Sequence, residues 1–565
     1  MKGSKLLSLP LAVALMLISN ATVIAAGDAL VNVGSPPGFF PQNKQNEPAL
    51  AVDANHPNVL AAGSNDEIDL SACYGSNCSF TAGVGVSGIY FSTDSGKSWI
   101  QPTYSGWSAR ACKGVTPCTP GVGPIGTVPN YYEAGLVSGG DPAVAFGPRM
   151  AAGGKFSWAA GSRLYYANLA SNFSNVRTDA AFAGYEAVAV SSTDDVTAAA
   201  AGVQAAWTRP VIVSQQSQTT FSDKEQIWAD NAASSPYFGN VYVCWANFTS
   251  NAASPAPLKA AVSSDGGATW TEHQLSSAAN NSQNSPPDGC TVRTDSRGNA
   301  YVFGVATDNS GSFEVMSVST DGGKSWSKPG PVAGPVTQPG IFDPVTGRPE
   351  IDGIGGARSD LAPAPSVDIA NGAPTGAHAT DRIVMSYVSG EIIKPHVYFT
   401  DSANGGATWS TPRAVEGAAD RGYYTAPAIS PTGSEAWLVY SAFTTPYQTD
   451  TSSPRALVGV VLHGKLAKGG GWTFSEAYRG PVGDPRGSSQ NNLRAEFLGD
   501  YVYAIATPAY GAAVWTDARN ATDCPAVDQW RMSLQTTSPG AKPAPLQVCP
   551  SGFGNSDIYS WTSAN

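Results

Sequence analysis

S-T-D-S-G-K-S-W at 92–99, S-S-D-G-G-A-T-W at 263–270 and S-T-D-G-G-K-S-W at 319–326 repeat one short phrase. A fourth copy, S-A-N-G-G-A-T-W at 402–409, carries Asn404 where the others carry Asp94, Asp265 and Asp321. A repeat of this kind decides architecture before any single residue is weighed. The spacing suits a hairpin. The Asp bonds backbone amides a few residues on, the glycines accept positive φ, and the Trp anchors the returning strand.

Outward from these copies runs a recurring upstream phrase of a polar start, an apolar strand, a turn and an aromatic-rich strand. N-E-P-A-L-A-V-D at 46–53 leads to the first copy. D-P-A-V-A-F at 141–146 opens a second unit that ends in a degenerate form around Asp194 and Trp207. D-K-E-Q-I-W-A-D at 223–230, D-G-C-T-V-R-T-D at 288–295 and A-P-S-V-D-I at 364–369 lead to the other three copies. A-P-A-I-S at 426–430 begins a sixth unit, and E-F-L-G-D-Y at 496–501 with A-A-V-W-T-D at 512–517 makes a seventh.

Units of this size predict an all-β protein, a β-propeller of four-stranded blades, because radial repetition hides every sheet edge against a neighbour. Counting opening strands gives seven blades; the alternative is six, with one unit appended. The ring is expected over 27–535, with 536–565 as a tail packed on it. Pro- and Gly-rich stretches at 101–138, 327–360 and 440–470 are expected as surface loops.

Composition agrees with an all-β chain: 61 Gly, 42 Pro, and short Val, Tyr, Ile and Trp segments in place of helical runs. The net charge of −11 argues against a nucleic-acid backbone as partner. Residues 1–26 read as a secretory signal, with Lys2 and Lys5 ahead of an apolar stretch and Ala25 and Ala26 at its end. No later segment is long and apolar enough to span a bilayer, so a secreted or periplasmic monomer is expected. Eight cysteines fit that compartment as structural staples. They allow about 105 pairings, of which the sequential one is the most local.

In a propeller the first strand of each blade lines the channel, so its polar start reaches a shared mouth. Those starts contribute Glu47, Asp141, Asp223, Lys224, Glu225, Asp500 and Tyr501, and Arg293, Arg358, Arg494 and Arg519 come from similar regions. Carboxylates converging on one opening repel unless a cation or a shared proton relieves them, and such tension often marks a functional site. The opposing reading has each acid capping its own strand or pairing with a neighbouring blade. No motif requires a cofactor. The oxygen-rich mouth would suit Ca²⁺.

The repeated phrase is identified as the Asp-box (BNR) repeat, and the chain resembles the sialidase-type β-propellers. In that family an arginine triad clamps the substrate carboxylate, a Tyr activated by a Glu is the nucleophile and an Asp is the acid/base. The resemblance implies a glycan or glycoconjugate partner and a glycoside hydrolase activity. It implies Asp223, Glu225, Asp500 and Tyr501 as catalytic candidates. Glu47, Asp141, Lys224, Arg293, Arg358, Arg494 and Arg519 become candidates for substrate binding. The family's R-I-P phrase is missing from the first blade, and after the signal the first arginine is Arg110. The chain is also similar to secreted bacterial Asp-box proteins bearing N-E-P, D-K-E, L-G-D-Y and W-T-D-x-R phrases. Here these are residues 46–48, 223–225, 498–501 and 515–519. A non-catalytic glycan- or protein-binding propeller is the alternative, and it expects the four arginines to point apart or to sit in ion pairs between blades.

Overall fold

The four copies of the repeated phrase make one and the same turn in the computed structural model, which describes residues 27–114, 117–173, 180–249, 257–277, 285–353, 355, 357–391 and 393–564. The expected signal, 1–26, lies outside the described residues. In the first copy Asp94 Oδ1 accepts from Ser98 N at 3.0 Å, and Gly96 N donates to Ser92 Oγ at 2.9 Å. Asp265 and Asp321 accept from Thr269 N and Ser325 N at the same offset. Asn404 does the equivalent work with an amide: its Oδ1 accepts from Thr408 N at 2.9 Å while its Nδ2 donates to Thr408 Oγ1 at 2.8 Å.

Seven blades form the ring. Their inner strands are Gln45–Val52, Leu136–Met150, Thr220–Ala229, Ser285–Thr294, Ser366–Ile369, Arg421–Ile429 and Tyr503–Ala506. Blades 2 to 6 are antiparallel meanders of four strands in chain order. Blade 1 has three strands, with a Phe91–Ile100 bridge at its outer edge. Adjacent blades share apolar layers, such as the one holding Tyr165 and Val188 of blade 2 against Val243 and Trp245 of blade 3. Each fully buried Val, Leu or Phe in these layers contributes about 1.5–3 kcal/mol.

Blade 7 closes the ring with both ends of the chain. Asp557–Thr562 is its third strand and Ala29–Leu30 its outermost, paired at Ala29–Ser560 and Leu30–Tyr559. The stretch expected as a packed tail is therefore partly a blade strand, and the ring extends past residue 535. Two of the expected loops also hold blade strands, Gly330–Val336 and Leu457–Leu466. The Gly and Pro residues of Gly330–Val336 sit on the outermost strand of blade 4, where they are tolerated. The cysteines pair sequentially as Cys73–Cys78, Cys112–Cys118, Cys244–Cys290 and Cys524–Cys549. Among the described residues no helix is long and apolar enough to cross a membrane.

Candidate functional site

The inner strands of blades 1 to 4 each begin with a register shift, at Asn46/Ala49, Gly140/Ala143, Asp223/Gln226 and Asp288/Thr291. At each bulge one residue takes a left-handed backbone: Glu47 at φ 54°, Asp141 at 49°, Lys224 at 60° and Gly289 at 56°. A bulge re-aims a side chain next to a site, and a non-glycine held left-handed costs about 1–2 kcal/mol. Three charged residues carry that strain at equivalent positions around one mouth. The Asp-Gly at 288–289, aligned with Asp-Lys at 223–224, was the only trace of this geometry in the sequence.

Lys224 is the hub. Its Nζ lies 2.9 Å from Asp500 Oδ2, 3.1 Å from Asp141 Oδ2 and 3.8 Å from Asp223 Oδ1. Arg358 binds Asp500 through Nε at 3.1 Å and through Nη2, and reaches Glu47 at 3.7 Å. Tyr424 donates to Asp500 Oδ1 at 2.9 Å, and Asp500 N donates to Glu47 Oε1 at 3.0 Å. Asn65 ties the first two blades together, donating to Glu47 Oε2 at 2.7 Å and accepting from Asp141 N at 2.7 Å. Blades 1, 2, 3, 6 and 7 are thus joined by one polar network.

Burial and charge split the carboxyl groups of this network. Burial would raise Asp500, but Arg358 and Lys224 outweigh it and hold the group well below the usual carboxylate range. Asp141 is likewise held low against burial, chiefly by Lys224. Glu47 is pushed well up by burial and by the charge of Asp141. Asp223 is pushed up to about 7 by burial, which Lys224 only partly offsets. Burial also raises the Tyr501 phenol, whose hydroxyl sits 3.5 Å from Asp141 Oδ2. No glutamate bonds that hydroxyl among the described residues. Asp500, Tyr501 and Tyr424 line a cavity of about 50 Å³. At about 10–15 Å³ per water on this measure it holds a few waters and no sugar ring.

The remaining candidates lie elsewhere. Glu225 is sealed in, 1% exposed, both carboxylate oxygens lack a hydrogen-bond partner among the described residues, and burial pushes its pKa well up. Arg293 lies inside the channel beside Asp368, at 3.4 Å, with its guanidinium over Trp228. Arg494 is exposed and bonds Val345 O. Arg519 pairs with Asp517 and Asp28 at 2.6 and 2.5 Å and stacks on Tyr559, clasping the outer edge of blade 7. Of the four arginines expected to gather, only Arg358 is at the mouth. The other three sit at positions of their strands and loops that face other partners.

An open cleft of about 420 Å³ adjoins the network, and it was not visible in the sequence. Its lining includes the polar Asn65, Asp141, Asn491 and Asn492 and the aromatic Phe80 and Phe497. Phe80 is 59% exposed, whereas one face of Phe497 is covered by Arg358 at 4.6 Å. Lys44 and Glu67 close the floor, with Lys44 Nζ donating to Asn491 Oδ1 at 2.8 Å and lying 3.7 Å from Glu67. Burial pushes Glu67 up to about 7. Among the described residues, no group of three or more His, Cys, Asp or Glu side chains is arranged to hold a metal ion.

No protein-family model matches the chain, and no curated protein matches it. Solved structures do resemble it. The intramolecular trans-sialidase of Ruminococcus gnavus is 12% identical with a TM-score of 0.39, over 74% of this chain and 94% of that one. The Trypanosoma rangeli sialidase is 12% identical with a TM-score of 0.38, over 76% of this chain and 56% of that one. A protein of unknown function from Dyadobacter fermentans is 11% identical with a TM-score of 0.37, over 77% of this chain and 98% of that one.

Proposed function

We propose that this protein is a glycan-binding β-propeller, exported from the cell, whose ligand enters the cleft beside the channel mouth and is held there without cleavage. One observation carries the reading. The cleft brings a largely exposed aromatic ring, Phe80, into one lining with amides and a carboxylate, Asn491, Asn492 and Asp141. Side-chain amides and carboxylates match the hydroxyls of a sugar, and a ring face matches its apolar C–H face. The arginine-clamp route to sialoside hydrolysis finds no support. Arg293, Arg494 and Arg519 are apart and engaged, and Tyr501 faces a cavity of about 50 Å³.

One feature favours a hydrolase as the second reading. Asp223 keeps a proton up to about pH 7 beside Asp141, which stays ionised, and such a split is what a paired acid and base require. Purified protein incubated with a panel of 4-methylumbelliferyl glycosides, sialoside included, and applied in parallel to a glycan array, separates the two. The first reading expects saturable array binding and no released fluorophore. Turnover abolished by Asp223→Asn or Tyr501→Phe would transfer the case to the second.

A further inference from the structure

The far end of the channel, where the inner strands finish, holds a separate cavity of about 160 Å³. Its walls are mostly aliphatic and aromatic, among them Phe146 and Ile505. Among the described residues only two charged side chains line it, Arg293 and Asp368. They come from adjacent blades, 4 and 5, and meet at a single point: Arg293 Nε stands 3.4 Å from Asp368 Oδ1. A bidentate fork would satisfy the pair internally, but here Nε is the one guanidinium nitrogen that bonds the carboxylate, and the two side chains stay 10% and 17% exposed.

Both groups are held in place from behind. Arg293 Nη1 donates to Val292 O at 2.8 Å, and its guanidinium lies 4.5 Å over the Trp228 ring. Trp228 is itself fixed by a bond from Nε1 to Thr294 Oγ1 at 2.9 Å. Asp368 Oδ2 accepts from Ile429 N at 2.8 Å. A cation and an anion are therefore presented side by side at the wall of an apolar space, with their orientations set by neighbouring strands. A mostly apolar cavity with a few convergent polar groups is the general form of a small-molecule site.

We propose that this cavity binds a free apolar α-amino acid, of the leucine or phenylalanine kind. Charge decides the class. One cation and one anion sum to zero, so an ion of either sign would leave one wall group opposed to it. A zwitterion satisfies both, its carboxylate on Arg293 and its ammonium on Asp368. Size decides the side chain. A cavity of about 150 Å³ lined by Leu, Ile and Phe admits benzene, which is the bulk of one ring or one branched aliphatic group.

Calorimetry of the full-length protein with L-leucine and L-phenylalanine tests this site apart from the glycan cleft. Saturable binding is expected. It should fall at least tenfold for L-leucinamide, which lacks the carboxylate, and for 4-methylpentanoate, which lacks the ammonium. Ala54→Phe, at the partly exposed rim, should abolish it with the melting temperature unchanged, and Arg293→Gln should weaken it at least tenfold. No heat with either amino acid at millimolar concentration would overturn the proposal. So would equal affinity for the acid alone, or undiminished binding in Ala54→Phe.

Discussion

Lys224 and Asp500 stand 276 residues apart in the chain and 2.9 Å apart at the mouth. The contact joins blade 3 to blade 7, and Asp141 of blade 2 and Arg358 complete it. The Asp500 side chain is fully buried and that of Lys224 is 9% exposed. A network this dry holds its shape only while every charge is answered.

Lys224→Met leaves Asp500 paired with Arg358 and strips Asp141 of the cation it binds. Removing one partner of a buried pair costs about 3–5 kcal/mol, so denaturant unfolding should show a loss of that size. A change within about 0.5 kcal/mol, typical of a surface substitution, would place the pair in water and contradict the burial described.

Mild acid should stabilise the fold. Glu67, Asp69 and Asp223 are each pushed up to about 7, burial being the largest cause in all three. In the unfolded chain such groups titrate near pH 4. Between about pH 4 and 7 the folded protein keeps protons that the unfolded chain has released. Stability then falls as pH rises, by at most about 1.4 kcal/mol per unit for each group. Asp500 acts in the opposite sense and only at lower pH, because its depressed pKa adds stability that is lost in strong acid. Urea midpoints should be higher at pH 5 than at pH 8, and Asp69→Asn should narrow the gap. A midpoint that rises from pH 5 to pH 8 contradicts this.

Cys244–Cys290 staples blade 3 to the inner strand of blade 4 across 46 residues. Closing a loop of that order adds about 2–4 kcal/mol, so the double substitution Cys244→Ala/Cys290→Ala should lower unfolding stability by that amount. The other bridges close 5, 6 and 25 residues and should each contribute less on loop length alone.

The blade count was legible because its signals are local. The turn made by Asp94 needs only residues within four positions, and opening strands such as 46–53 and 223–230 announce themselves by alternation and a polar start. The blade 7 closure was less legible, since Ala29–Leu30 is too short to read as a strand before its partner is known. At the site, Glu47, Asp141, Lys224 and Asp500 were recognisable from their place at strand starts. Arg293 was not, because the register of its strand sends it along the channel to Asp368. Phe80 and Asn492, from loops far apart in sequence, both line the cleft, and no spacing connects them.

Glycan-array binding of the wild-type protein and of Phe80→Ala, compared at equal concentration, tests the account most directly. Phe80 is 59% exposed and supports no core, so its removal should leave the fold intact while lowering array signal at least tenfold. Unchanged binding in Phe80→Ala, or no glycan bound by the wild type, would contradict the assignment of the cleft.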